Sequence, residues 1–130
     1  MNYSVTTKNI NPQEAIDLYS KLGWGDKEDY SQEEMREALE NTTFIAAARK
    51  ESKLVGLLRA FSDDIYHTVL VDVVVDPEYQ DQGVGSKLVK KLQQKYSHTP
   101  IFVNNFDETE EFFKKCGFEE NKFGQLVWHE

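Results

Sequence analysis

The residue types best suited to chemistry lie in a loop that starts at Gln80 and ends in two glycines. Gly83 and Gly85 are separated by one residue and open a predicted helix, after a strand that ends at Asp76. The first turn of a helix offers amide N–H groups without intrahelical acceptors and the positive end of the helix dipole, and glycine lets an anion approach closely. The loop therefore predicts a phosphate or pyrophosphate cradle, with an ordinary glycine-rich helix entry as the alternative.

The residues around these glycines exclude two common phosphate-binding motifs. A Walker loop has Lys and then Ser or Thr after its last glycine, whereas Gly85 is followed by Ser86 and then Lys87. A dinucleotide fingerprint has a third Gly or Ala where this chain has Leu88, and its glycines follow the strand immediately. The predicted cradle belongs to neither class.

The elements that must position this loop follow from caps and periodicity. Helices are predicted after Asn11 and Ser31, near Gly83 and from Asp107, where capping residues or glycine precede apolar residues at helical spacing. Apolar or β-branched runs predict strands at residues 3–7, 43–48, 54–61, 68–75 and 100–104, and two more within 118–129. The order β-α-α-β-β-β-α-β-α-β-β predicts one α/β (α+β) domain, residues 1–130, with a mixed, mostly antiparallel central sheet and helices on both faces.

Three segments resemble one enzyme family. Gln80-x-x-Gly83-x-Gly85 resembles the Gln/Arg-x-x-Gly-x-Gly/Ala signature of the Gcn5-related N-acetyltransferases (GNAT). Residues 70–79 are similar to the fourth strand of that family and the turn that follows it. Residues 105–118 are similar to its Asn-containing loop and Phe-Tyr-x-x-x-Gly-Phe helix. Because the predicted element order also agrees along essentially the whole chain, the chain is identified as a member of this family and is expected to have the acyl-CoA N-acyltransferase (GNAT) fold.

The resemblance implies acetyl-coenzyme A (acetyl-CoA) as the donor substrate. The amides of the loop would hold its pyrophosphate, the backbone at the end of the fourth strand would pair with the pantetheine arm, and two residues near the fourth helix would line the other side. These residues are Gln80, Gln82, Gly83, Val84, Gly85 and Ser86 in the loop, Val73, Val74 and Val75 on the strand, and Asn105 and Phe112. A lysine of the third helix (Lys87, Lys90, Lys91 or Lys95) is a candidate for the 3′-phosphate, with a solvated helix face as the alternative.

Two residues depart from the pattern of the family. Asp81 stands where glycine is common, and a carboxylate is unfavourable beside a pyrophosphate unless it points to solvent. Phe113 stands where many relatives have the tyrosine that protonates the departing thiolate, so that acid cannot be carried over. Solvent, Tyr79 or Cys116 could replace it.

Asp72 is the candidate general base, because an amine attacks a thioester only after losing a proton. It is the sole charged residue within residues 69–75, and strand alternation predicts that it shares a face with Leu70 and Val74, opposite Val73. Burial among apolar side chains raises the pKa of a carboxyl group, which suits a base that works near neutral pH. A structural carboxylate is the alternative.

The amine should bind where aromatic and acidic side chains occur together. Residues 22–30, between the first two helices, contain Trp24 and Tyr30 among several acids, and Arg59 and Phe61 leave the third strand towards the same area. Aromatic faces and carboxylates attract cationic amines. A loop anchored by a buried Trp24 is the alternative. Trp24, Tyr30 and Phe61 are therefore the predicted acceptor-binding residues.

The resulting prediction is an N-acetyltransferase that moves an acetyl group from acetyl-CoA to a primary amine, a small cationic or aromatic one, by direct attack in a ternary complex. An acetyl-CoA-binding module with little catalysis and a protein acetyltransferase are the alternatives, since a fold does not fix the acceptor.

Composition restricts the partners. The chain has 130 residues and a net charge of −8, which would repel a nucleic acid and attract a cationic small molecule. No apolar run can span a membrane, and no secretory signal is expected. Cys116 is the single cysteine, which indicates a reducing compartment and thus a cytoplasmic protein. His67, His98 and His129 are too widely spaced to suggest a metal site. An edge strand near the C-terminus makes a homodimer possible.

Overall fold

The computed structural model describes residues 4–6, 10–104, 109–120 and 128. Its elements in chain order are β1 (Ser4–Thr6), α1 (Pro12–Lys21), α2 (Gln32–Glu40), β2 (Phe44–Lys50), β3 (Lys53–Ser62), β4 (Thr68–Val75), α3 (Val84–Lys95), β5 (Ile101–Val103) and α4 (Glu110–Lys115). Short 3-10 turns lie at Lys27–Asp29 and Pro77–Tyr79. The predicted element order is confirmed from β1 to α4. The two predicted C-terminal strands, and the homodimer contact through them, fall mainly on residues outside those described.

α1 and α2 begin where their capping residues predict, whereas α4 begins at Glu110 and its predicted start, Asp107, lies outside the described residues. The Asn11 side chain accepts a hydrogen bond of 2.8 Å from the backbone N–H of Gln13, and the Glu14 carboxylate accepts one of 3.1 Å from the N–H of Asn11. Ser31 accepts from the N–H of Glu34 at 3.0 Å before α2. These bonds satisfy amides that have no acceptor within the helix, which is why local sequence locates the helix starts.

The five described strands form one sheet in the order β1-β2-β3-β4-β5. All neighbours are antiparallel except β4 and β5, which are parallel. Buried side chains of α1 and α2 pack with Leu57 and Val74 on one face, whereas those of α3 and α4 pack with Leu58 and Leu70 on the other. The predicted mixed sheet with helices on both faces is therefore confirmed. None of the described helices has the length and apolar character needed to cross a membrane.

A bulge in β4 turns Asp72 away from Leu70. Arg59 pairs with Asp72, but the next residue of β3, Ala60, pairs with Leu70, so Val71 is an extra residue in β4. Leu70 packs in the core beneath α3, while Asp72 bonds to a side chain of α1. The prediction that Asp72 and Leu70 share a face is therefore wrong, because strict alternation fails at a bulge.

An ion pair fastens the end of α1 to the end of β4. The Lys21 ammonium lies 2.9 Å from the Asp76 carboxylate, which is only 2% exposed. The other Asp76 oxygen accepts a 2.9 Å bond from the N–H of Glu78. Burial alone would raise the pKa of Asp76, but the Lys21 ammonium and the Glu78 N–H outweigh it and hold the pKa below its usual value.

A lowered pKa gives this carboxylate a pH-dependent effect on stability. The ionised group stabilises the fold above the pKa of an unfolded Asp, about 4, and this contribution is lost as the pH falls through the lowered folded-state value. We expect Asp76→Asn to reduce the free energy of unfolding by about 1–2 kcal/mol at pH 7, since Lys21 is 41% exposed and its attraction is partly screened by solvent. The reduction should shrink at pH 3. Urea titrations at both pH values measure it.

Glu40→Gln is the control for Asp76→Asn, because it neutralises an exposed carboxylate at the end of α2. It should change stability little at either pH. If Asp76→Asn is equally destabilising at pH 7 and pH 3, the ion pair is not the origin of its effect.

Candidate active site

A cavity of about 500 Å³ opens between the end of β4, the start of α3 and α4, and we call it the α3 cavity. The residues that line it are Val73, Val75, Tyr79, Gln80, Asp81, Gly83, Val84, Gly85, Ser86, Thr109, Phe112 and Lys115. Most of the predicted donor-binding residues thus lie together. Val74 instead packs beneath α1, and Gln82 is not among the lining residues. Asn105 lies outside the described residues.

The loop before α3 presents bare amides to this cavity. Gly83 occupies the N-cap position with φ of +82°, and it has no side chain to bond the first-turn amides. A Cβ built on Gly83 would meet nothing within 4 Å, so the space in front of the helix is open. Asp81 also has a positive φ, +62°, a conformation that favours glycine, and its side chain is exposed. These amides can hold an anion of pyrophosphate size.

Gly85 has a different role from Gly83. A Cβ on Gly85 would lie 3.1 Å from the ring of Phe112 and 3.6 Å from the side chain of Val75. The missing side chain thus lets α4 approach α3 and β4 at the mouth of the cavity. The sequence pattern predicts the same role in the cradle for both glycines. In the structure Gly83 borders open space, whereas Gly85 permits close packing against Phe112.

Gln80 fixes the loop to the strand. Its amide Nε2 donates a 3.0 Å hydrogen bond to the carbonyl of Val75, the last residue of β4. The residue of the motif that precedes the glycines therefore holds the backbone at the end of β4, and it also lines the α3 cavity.

β4 has an open edge beside this cavity. β5 pairs only with Thr68, Val69 and Leu70 at the start of β4. Among the described residues no strand continues this pairing along residues 71–75. An extended ligand can bond to such an edge as an added strand, which is what the prediction for the backbone of residues 73–75 requires.

A second cavity of about 310 Å³ lies on the opposite face of the sheet, and we call it the α1 cavity. Its lining residues are Tyr19, Trp24, Asp29, Tyr30, Ser31, Glu34, Met35, Ala38, Arg59 and Asp72. The structure thus brings Trp24 and Tyr30 together with Asp72. Phe61, the third predicted acceptor-binding residue, is not among the lining residues and is 42% exposed farther along β3.

Asp72 forms a polar cluster in the inner part of the α1 cavity. One carboxylate oxygen accepts a 3.1 Å bond from the Tyr19 hydroxyl, and the other accepts from Nε and Nη2 of Arg59 at 3.1 and 2.8 Å. The carboxylate is buried, at 9% exposure, but its neighbours are polar rather than the apolar ones predicted. Burial, together with the nearby Asp72 charge, raises the pKa of Tyr19, so its hydroxyl remains a proton donor.

Tyr19 is the residue of this cluster that the sequence did not identify. Its spacing from Ala15, four residues earlier, indicates only a position on the apolar face of α1. A buried tyrosine hydroxyl needs a hydrogen-bond partner, and that requirement is the signal that could have identified it.

Three aromatic rings form one wall of the α1 cavity. Trp24 stacks on Tyr19 with ring centroids 5.7 Å apart, and Tyr30 stacks on Tyr19 at 6.4 Å. The Tyr30 hydroxyl donates to the carbonyl of Trp24 and so closes the loop. Trp24 is 46% exposed, so the alternative of a loop anchored by a buried Trp24 is wrong.

The residues considered for protonating the departing thiolate, and Phe113 at the position of the usual tyrosine, lie in different surroundings. Phe113 is buried against Phe112 and Phe118 and is not among the residues that line the α3 cavity. Cys116 is not among them either, and burial raises the pKa of its thiol. Of the phenol and thiol candidates, Tyr79 lines the cavity.

Comparisons with known proteins agree with this arrangement. The chain is 35% identical over 88 residues to GCN5-related N-acetyltransferase 2, chloroplastic, of Arabidopsis thaliana, which covers 62% of this chain and 33% of that protein. It is 32% identical over 123 residues to the uncharacterized N-acetyltransferase ycf52 of Pyropia yezoensis, covering 89% of this chain and 69% of the relative. The chain thus spans a third of the first relative and about two-thirds of the second.

Structural and family comparisons extend this result along the chain. A GNAT-family acetyltransferase of Streptococcus pneumoniae has the same fold, with a TM-score of 0.85 at 22% identity over 99% of this chain and 98% of that one. The family described as "Acetyltransferase (GNAT) domain" matches residues 19–125, which include both cavities, the glycine loop and α4. This chain belongs to the GNAT acetyltransferase family.

Proposed function

We propose that the protein transfers the acetyl group of acetyl-CoA to the primary amine of a small molecule within a ternary complex. The observation that carries the proposal is the position of the two cavities on either side of β4. Asp72 lines the α1 cavity and the next residue, Val73, lines the α3 cavity. A donor paired along the open edge of β4 and an amine in the α1 cavity can therefore meet at that edge, which no described strand covers along residues 71–75.

The α3 cavity fits acetyl-CoA. The amides of Gln82, Gly83, Val84, Gly85 and Ser86 would bind the pyrophosphate. The backbone of Val73, Val74 and Val75 would pair with the pantetheine arm, and Phe112 would lie on the other side. Two features support this assignment: the start of α3, where Gly83 offers no capping side chain, and the edge of β4 along residues 71–75, which no described strand pairs. Asp81 is exposed, so solvent can screen its carboxylate from the negative charge of the pyrophosphate.

When bound, acetyl-CoA supplies the thioester carbonyl that the amine attacks. The amine nitrogen forms the new C–N bond, the C–S bond breaks, and coenzyme A leaves as a thiolate. The nitrogen loses a proton and the sulfur gains one. A carboxylate has about four acceptor sites, and Tyr19 and Arg59 occupy three on Asp72. One site remains on the oxygen bonded to Tyr19, and we propose that it accepts the proton from the amine, directly or through water.

The α1 cavity favours an amine that carries an aromatic group or a second positive charge. Its lining includes three carboxylates, those of Asp29, Glu34 and Asp72, against the single guanidinium of Arg59. The wall of stacked rings offers faces that attract cations. A volume of about 310 Å³ suits a small molecule.

A protein acceptor is the second candidate, and an exposed apolar strip favours it. Phe61, Ile65, Tyr66, Val69 and Val71 are exposed around the β3–β4 hairpin, beyond Arg59. A polypeptide longer than the α1 cavity would have apolar surface to lie on there. On this hypothesis Phe61 binds the acceptor outside the cavity.

The cytoplasm is the proposed compartment, on the ground of the single cysteine. The Arabidopsis relative is described as chloroplastic, so the compartment of this protein is a separate question from its family.

The pyrophosphate cradle predicts the effect of Gly83→Val. This change places a side chain in the open space before α3 and strains a residue with φ of +82°. We expect at least a tenfold loss of affinity for coenzyme A by titration calorimetry. Gly23→Val is the matched control, because Gly23 has φ of +79° and equally open space at the end of α1. Equal losses in the two variants would make backbone strain, not the cradle, the cause.

The charge of the α1 cavity predicts acceptor preference. Thiol release from acetyl-CoA should be fastest with amines that carry an aromatic ring or a second cation, and slow with neutral aliphatic amines. Peptides with a free lysine or N-terminus belong in the same panel. A faster rate with peptides than with any small amine would replace the small-molecule proposal with the protein one.

The base assignment predicts that Asp72→Asn lowers kcat/KM by about 10²-fold and moves the fall in rate at acidic pH towards the pKa of the amine, because the nitrogen must then lose its proton to solvent. Tyr19→Phe removes one hydrogen bond from the carboxylate but leaves the base, so its loss should be several-fold and its pH profile should keep the acidic fall. If both variants lose activity equally with unchanged pH profiles, Asp72 acts by positioning Tyr19 and Arg59. Thermal unfolding of each variant checks that it is folded.

A further inference from the structure

The α3 cavity contains a basic residue that the glycine loop does not account for. Among the residues that line it in the described part of the chain, Lys115 of α4 is the basic one and Asp81 is the acidic one. The α3 lysines Lys87, Lys90, Lys91 and Lys95, which the sequence proposed for the 3′-phosphate, are not among the lining residues. The basic side chain of this cavity therefore belongs to α4, whereas the sequence indicated α3.

Lys115 differs from its neighbour in its surroundings. Lys114 is held by two carboxylates, at 3.2 Å from Glu110 and 3.6 Å from Glu120. Lys115 has no carboxylate within ion-pair distance among residues 10–104 and 109–120, and it is exposed. It also lies three positions after Phe112, so the two side chains share a face of α4. Lys115 therefore lies beside the ring that covers Gly85, with its charge available to a ligand.

Coenzyme A carries more phosphate than the loop amides can neutralise. Two phosphates form the pyrophosphate, for which a helix start provides neutral N–H donors. The third is a ribose 3′-phosphate monoester, which has a charge between −1.5 and −2 at pH 7 by analogy with other phosphate monoesters. In a chain with a net charge of −8, such a group needs a local cation to bind.

We propose that Lys115 binds the 3′-phosphate of coenzyme A and so makes the protein prefer coenzyme A to its 3′-dephospho form. The inference rests on the proposed donor substrate, since it assigns one more residue of the same cavity to that substrate. It concerns recognition of the nucleotide end, and Lys115 has no part in the acetyl-transfer step.

Titration calorimetry with coenzyme A and with 3′-dephospho-coenzyme A tests the assignment without turnover. The wild-type protein should bind coenzyme A about tenfold more tightly than the dephospho form. Lys115→Ala should weaken coenzyme A binding to the level of the dephospho form, while the affinity for the dephospho form stays unchanged. Lys114→Ala is the matched control: it removes an equal charge from the adjacent position of α4 and should preserve the tenfold preference.

The possible failures are distinguishable. If the wild-type protein binds neither form, the proposed donor is wrong, and so is the assignment of Lys115 to its 3′-phosphate. If it binds coenzyme A and Lys115→Ala keeps the preference, the donor stands and the Lys115 assignment is overturned. The assignment is also overturned if Lys115→Ala weakens both forms equally, because the lysine would then serve the pyrophosphate or the shape of the cavity.

Discussion

The end of the pairing between β4 and β5 at Leu70 is the constraint on which the rest of the candidate site depends. Up to that residue the two strands pair, and beyond it the edge of β4 is unpaired among the described residues. Buried or half-buried backbone groups need partners, so an open edge in the middle of a domain is stable only where solvent or a ligand can reach it. The α3 cavity supplies that access. The edge that no described strand pairs thus borders the space in which an extended substrate can lie.

The bulge at Val71 allows β4 to contribute Asp72 to the α1 cavity as well as Val73 and Val75 to the α3 cavity. A regular strand would keep Leu70 and Asp72 on one face, but the extra residue turns Asp72 towards α1 while Leu70 remains in the core under α3. Asp72 and Val73, as adjacent residues of a strand, then line cavities on opposite faces of the sheet.

Two buried carboxylates in and just after the C-terminal half of β4, those of Asp72 and Asp76, each form an ion pair with a basic side chain from another element. Asp72 is paired with Arg59 across the β3–β4 ladder, and Asp76 is paired with Lys21 from α1. Removing a charge from water is unfavourable unless a partner and hydrogen bonds replace the lost solvation. These pairs therefore fix where β4 lies relative to α1 and β3, and with it the position of the α1 cavity.

The sequence alone determined the features that depend on neighbours in the chain. Asn11 and Ser31 capped their helices as predicted, and the element order from β1 to α4 followed from periodicity. The glycine loop could be assigned because its amides, its glycines and its helix start are consecutive. Most of the residues named for the donor lie together in one cavity for the same reason.

Only the tertiary structure decided which residues meet across the sheet. The bulge depends on pairing between β3 and β4, so no pattern within β4 could reveal that Asp72 and Leu70 face opposite ways. The partners of Asp72 come from α1 and β3, and the difference between Gly83 and Gly85 depends on a ring of α4. Likewise Lys115 enters the α3 cavity only because α4 packs beside α3. Contacts between distant segments are set by packing and desolvation of whole elements, and local residue patterns carry no information about them.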